Sequence, residues 1–185
     1  MEDEMPASVA TGGTPSHVDP TVRSIHLVHL DLPPSENHVW VHRRQGGQVY
    51  STEAENFKKA FITGVGDEFL PEIQRFARGH TPQCVYYARM TFYFSPWDVL
   101  NRGWFEWTRK GERKAQTPYK RMDVGNRRKL LEDCITAILG IDDNLNFRLE
   151  LVKQIDPEFQ RVEIEMYEAD PREYGIPDHL FQRMK

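Results

Sequence analysis

The stretch Cys84–Ser95, CVYYARMTFYFS, constrains the fold more than any other part of the chain. Aromatic and β-branched side chains suit a pleated, half-buried surface, so their density here predicts a strand. Farther on the apolar period changes. Leu130, Leu131, Cys134, Ile135 and Ile138 recur at helical spacing and predict a helix over about 124–139 with one face on the core. Gly140 is placed to stop it.

The remaining elements follow from the same rules. Ser24 to Leu32 alternates and predicts a strand, ended by Pro33-Pro34-Ser35 because proline cannot continue a ladder. Val39 to His42 and Gln48 to Ser51 flank Gly46-Gly47 as a hairpin-like excursion. Ser51 or Thr52 caps a helix that runs to about Thr63, with its register resuming after Gly64 or Gly66 across Phe69, Ile73 and Phe76. Phe147 to Gln154 and Arg161 to Tyr167 alternate as two strands around the turn Asp156-Pro157-Glu158. Residues 96–119 form a long charged loop, and loops of that length are more often functional or mobile than structural. The order β, helix, β, helix, β, β argues an α+β fold, a small mixed sheet with two main helices.

A chain of 185 residues suits one domain with tails. Residues 1–22 are rich in Gly, Pro, Ser and Thr and read as a disordered tail; 23–168 form the folded domain; 169–185 read as a second tail with one helical turn. No apolar run approaches the 18 or more residues of a membrane span, and the acidic N-terminus lacks the apolar region of a signal peptide. Cys84 and Cys134 lie far apart and give no zinc framework, which points to a reduced, cytoplasmic setting. His26 and His29, three apart on a strand, point to opposite faces and are not joint ligands. No Gly-rich phosphate loop with its Lys-Ser/Thr ending is present, so no nucleotide cofactor is expected.

The net charge of -4 does not advertise a nucleic-acid partner, but its distribution does. Between Thr108 and Lys129 nine Lys or Arg residues face only Glu112 and Asp123. Such a patch can track phosphates while the rest of the protein stays acidic; a solvated charged loop is the plainer alternative. Trp97, Trp104, Phe105 and Trp107 border this segment, where they either stack on unpaired bases or pack under the loop or into a dimer interface.

Asp123 stands where the second helix begins, and Asn126, Lys129 and Asp133 follow at offsets that form a polar stripe beside the apolar one. Asp142-Asp143 comes directly after the helix. Phosphodiester hydrolysis wants these types: carboxylates to hold a divalent ion and a lysine to balance charge on the phosphate. Taken one at a time, each has a structural role instead: Asp123 as a helix cap, Lys129 as a surface residue, Asp142-Asp143 as a turn.

Asp123-Val124-Gly125-Asn126-Arg127-Arg128-Lys129, then Asp133, then Ile141-Asp142-Asp143 resembles the signature of RusA-type Holliday junction resolvases, roughly D-x-D-N-x-x-K-x-x-x-D and then a hydrophobic-D-D before a strand. Leu32-Pro33-Pro34-Ser35-Glu36-Asn37 resembles the family's P-P-S-x-N turn, and the basic His42-Arg43-Arg44 and the Tyr50-Ser51 helix entry follow in family order. The resemblance spans about residues 24–168. It implies a magnesium-dependent (or manganese-dependent) homodimer that resolves four-way DNA junctions by paired nicks in recombination and repair, in the cytoplasm of a bacterial or phage-infected cell. It implies metal-binding and catalytic roles for Asp123 and Asp143 with Asp142 adjacent, a catalytic role for Lys129, and support from Asn126 and Asp133. DNA contacts are expected from Asn37, Arg43, Arg44, Arg109, Lys110, Arg113, Lys114, Lys120, Arg121 and Arg127. One position departs: Gly125 stands where the family has a second aspartate, so metal binding is weakened, catalysis is lost, or another acid compensates. Glu132 lies two turns from Gly125, too far to replace it simply, and Glu150 and Glu163 on the later strands are the other candidates.

Overall fold

The computed structural model describes residues 22–42, 46–81, 83–120 and 124–177. Its centre is β4 (Val85–Phe94), the aromatic strand. Alternation sends Tyr86, Ala88, Met90, Phe92 and Phe94 into the core, all essentially without exposure. Burying side chains of that size stabilises the fold by roughly 1.5–3 kcal/mol each. The strand is paired along both edges, antiparallel to β6 (Arg161–Ala169) and parallel to β5 (Asn146–Ile155). The first strand, β1 (Ser24–His29), adds antiparallel to β6, giving a mixed sheet in the order β1-β6-β4-β5.

Helices cover one face of this sheet. After the single turn α1 (Glu36–Val39), they are α2 (Thr52–Glu68), α3 (Leu70–Arg78) and α6 (Gly125–Leu139), and the core joins Phe57, Phe61, Ile73, Phe76, Leu130 and Leu131 to the inward side chains of the strands. The other face carries Tyr87, Arg89, Thr91 and Tyr93 of β4 opposite Tyr167, Glu165, Glu163 and Arg161 of β6. Several of those polar groups pair: Tyr87 donates to Glu150, and Arg161 Nε lies 2.7 Å from Glu163 Oε1. The fold is thus the expected α+β class with a mixed sheet.

Three points of the sequence reading are decided by the fold. The glycines at 64 and 66 do not interrupt α2, which runs unbroken from Thr52 to Glu68. Glycine costs a helix only about 1 kcal/mol, and Val65 between them is buried, so packing outweighs propensity. Second, the expected turn at Asp156 joins two strands that are not paired with each other, a choice their pattern left open. β5 and β6 lie on opposite sides of β4, and the chain passes its end, where Asp156 N donates to Phe94 O at 2.9 Å. Third, residues 96–119 are not a structureless loop. They hold two single-turn helices, α4 (Pro96–Val99) and α5 (Arg102–Phe105), in a doubled-back arm described below.

The short sheet of β2 (Trp40–His42) and β3 (Gln48–Tyr50) forms the expected hairpin outside the main sheet. Ser51 caps α2, accepting from Ala54 N at 3.1 Å. Gly140 ends α6 in the left-handed region at φ 66°, where its N–H donates to Thr136 O. His29 lies edge-on to Phe57 while His26 is exposed beside Glu163, on opposite faces of β1. Both cysteines are buried and unpaired, and burial pushes the Cys134 thiol up to about 12. Among the described residues no helix is long and apolar enough to cross a membrane. The segments 1–21 and 178–185 lie outside the described residues; within the C-terminal tail, Pro171–Tyr174 forms one 3-10 turn.

Candidate active site

Lys129 stands in the second turn of α6, on the face beside the apolar stripe. Its neighbours Leu130 and Leu131 fix the helix against the sheet, so its direction is set by the core. After Gly140 reverses the chain, Ile141 is buried and anchors the return, which brings a 3-10 turn at Asp143–Leu145 back alongside α6. The Lys129 ammonium then lies 2.6 Å from Asp143 Oδ2 and 3.2 Å from Asp133 Oδ1. Its bond to Asp143 holds Lys129 above the usual lysine range, against a smaller opposing effect of burial. The same bond holds Asp143 below the usual carboxylate range. At neutral pH the group is a fixed ammonium between two carboxylates.

Asp133 is tied from its other side. Tyr50 donates its O–H to Asp133 Oδ2, and the Tyr50 ring stacks on Trp40 at 4.6 Å between centroids. Burial, and then the bond to Asp133, push the Tyr50 phenol up to about 12, so it stays a donor. Both Asp133 oxygens are therefore engaged, which makes this residue a positioning group for Lys129. The hairpin β2–β3, through Tyr50, braces the lysine. Sequence reasoning gave Tyr50 only a place in the helix entry. The contact joins residues 83 apart and leaves no spacing signal.

Asp142 caps the turn that carries Asp143, accepting from Asn144 N at 3.0 Å, and is otherwise exposed. Glu132 is a further acid in this neighbourhood. It is buried, its Oε2 lies 3.3 Å from Arg128 Nε, and burial followed by the charge of Asp143 raises it above the usual carboxylate range against Arg128. Its ion-pair partner Arg128 lies one turn nearer the start of α6. Glu150 and Glu163 are not substitutes for the acid missing at 125. Both lie on the sheet face opposite α2, α3 and α6, with the sheet between them and Lys129. Among the described residues no three His, Cys, Asp or Glu side chains form a metal-type cluster. Asp123 lies outside the described residues, as do Arg43, Arg44 and Arg121, and the side chains of Asn37 and Asn126 are not described.

The two motif regions of the sequence meet. Arg127, near the start of α6, donates to Pro33 O in the turn after β1, and its guanidinium lies over the Phe94 ring. Burial lowers this guanidinium, with Asp98, Glu53 and Asp31 opposing. Arg127 is thus directed into the protein and joins the proline turn to the helix. The other basic residues sit on the arm. Arg109 and Lys110 are exposed at its tip, while Lys114 pairs with Glu106 at 2.6 Å, Lys120 Nζ donates to Trp97 O at 2.8 Å, and Arg113 lies over the rings of both Trp104 and Trp107.

A mixed sheet, helices on one face and an ammonium clamped between two carboxylates define a small α+β domain. The family model for endodeoxyribonuclease RusA matches residues 31–167, and the chain belongs to the RusA endodeoxyribonuclease family. Among curated proteins none matches the sequence.

Proposed function

We propose that this protein is a structure-selective endodeoxyribonuclease that cuts four-way DNA junctions by paired nicks. The observation that carries the reading is the Lys129 ammonium held at 2.6 Å from Asp143 and 3.2 Å from Asp133 in a chain of this family. An ammonium fixed in advance stabilises charge developing on a phosphate without reorganising at the moment of reaction. Phosphate tracking falls to the exposed cations of the arm, Arg109 and Lys110, so affinity drops as salt rises. Two copies related by a two-fold axis match the near two-fold symmetry of a four-way junction.

The donor set suits a hard divalent cation. Asp143 keeps one oxygen clear of Lys129, Asp142 keeps one clear of its cap, and magnesium needs only one or two carboxylates beside water and phosphate oxygens. Asp143 and Asp142, with Asp123, two residues before α6 in the sequence, would hold Mg2+ or Mn2+. Such an ion supplies an activated water and polarises the phosphoryl oxygen. The test is nicking of a synthetic four-way junction across magnesium and manganese concentrations, with Asp123→Asn as control. A folded protein that cuts at none of them overturns the reading.

Gly125 favours a second reading, a relative that binds junctions without cutting. It is the first residue of α6, and neither Glu150 nor Glu163 lies on its side of the sheet. This predicts junction binding without nicking and gain of activity in Gly125→Asp; cutting by the native protein rules it out.

A further inference from the structure

The arm of residues 96–120 is a built surface. Its two legs are held together by a run of backbone bonds: Lys120 N to Val99 O, Asn101 N to Pro118 O, Ala115 N to Gly103 O and Thr108 N to Glu112 O, at 2.7–2.9 Å. The legs approach so closely at Gly103 that a Cβ there would meet the Ala115 methyl at 3.2 Å. A segment fixed this way would be expected to bury its large apolar groups. Instead Trp97 and Phe105 are 67% and 62% exposed. They flank a hollow of about 690 Å3 lined also by Leu100, Arg102 and Glu106. That volume falls in the range of about 300–1,000 Å3 typical of small-molecule sites.

The surroundings select the occupant. The arm carries six Lys or Arg against three Asp or Glu. Glu106, the one acid on the rim, is already paired with Lys114 at 2.6 Å, and that bond holds its carboxylate below the usual range. Flat exposed rings inside a cationic frame fit a flat π-system attached to a polyanion, and not an apolar helix, which would leave the cations without counterparts. In sequence the arm is followed by α6, where Arg127 feels the charge of Asp98 on α4.

We propose that the Trp97–Phe105 hollow receives an unpaired nucleobase of single-stranded or branched DNA, stacked on these rings while Arg102, Arg109 and Lys110 follow the flanking phosphates. This rests on the DNA reading above but not on cleavage.

The test uses the full chain without divalent metal and two probes, a short oligodeoxythymidylate and an abasic strand of equal length. The native protein should bind the base-bearing strand more tightly. Trp97→Ala should remove that preference, a loss of about 5- to 150-fold for one aromatic–base stack, and leave abasic binding and its salt dependence unchanged. Phe105→Leu, which keeps the hollow apolar but removes the flat ring, should lose in the same direction. Both side chains are mostly exposed, so the variants should keep the native melting temperature. Equal binding of the two strands by the native protein, or equal losses on both in the variants, overturns this inference alone. Failure to bind either strand removes the DNA reading with it. Conversion of a native dimer to monomer by Trp97→Ala assigns the hollow to a second copy and also overturns it.

Discussion

The Lys129 ammonium and the Asp143 carboxylate lie 2.6 Å apart, although fourteen residues and a reversal of the chain at Gly140 separate them. Each fixes the charge of the other, the lysine raised and the aspartate lowered from their ordinary values. Replacing Lys129 with methionine keeps the stem of the side chain and removes the charge. Junction nicking under single-turnover conditions is expected to fall about 10²–10³-fold, the usual cost of losing one fixed charge-stabilising donor, with the melting temperature nearly unchanged.

Tyr50→Phe removes the bond to Asp133 while keeping the stack on Trp40. Stability should drop by about 1 kcal/mol, the net worth of one hydrogen bond. Nicking should fall less than in Lys129→Met, because the ammonium remains and only its brace is loosened. Urea melts and nicking rates on the same samples check both.

Gly140 holds φ 66°, a conformation that costs residues with a Cβ roughly 1–2 kcal/mol. No atom lies within 4 Å of the position a Cβ would take, so the penalty of Gly140→Ala is backbone strain alone. Its urea midpoint should fall without a change in slope.

Asp156 accepts from Arg161 and from the N–H groups of Glu158 and Phe159, in that order of effect, and these bonds pull its carboxyl from 3.8 to about 2. A folded-state value below the unfolded one stabilises the native state above the unfolded pKa. That contribution is lost as pH falls through the folded value. Asp156→Asn should therefore flatten the decline in melting temperature between about pH 4 and pH 2, and thermal melts across that window test it.

The elements with a strong local period were readable. In β4 the alternation of large side chains coincides with burial, and in α6 the apolar stripe and Gly140 give the length and the stop. Strand pairing was not readable in the same way. The pattern of β5 and β6 is satisfied by a hairpin or by two strands around a third, and only the strong central position of β4 decides. The glycines of α2 misled because propensity acts locally, while Phe61 and Val65 are held by the core.

What the sequence determined by itself was the set of charged types around α6 and the order in which they arrive, because these are fixed by covalent spacing and helical period. Tertiary structure decided which of them meet. It placed Asp143 and Asp133 on one ammonium, turned Arg127 inward to Pro33, put Glu150 and Glu163 behind the sheet, and left Trp97 and Phe105 exposed. These outcomes depend on which face of the sheet each element packs against and on a chain reversal at one glycine, and neither is written in the spacing of the residues themselves.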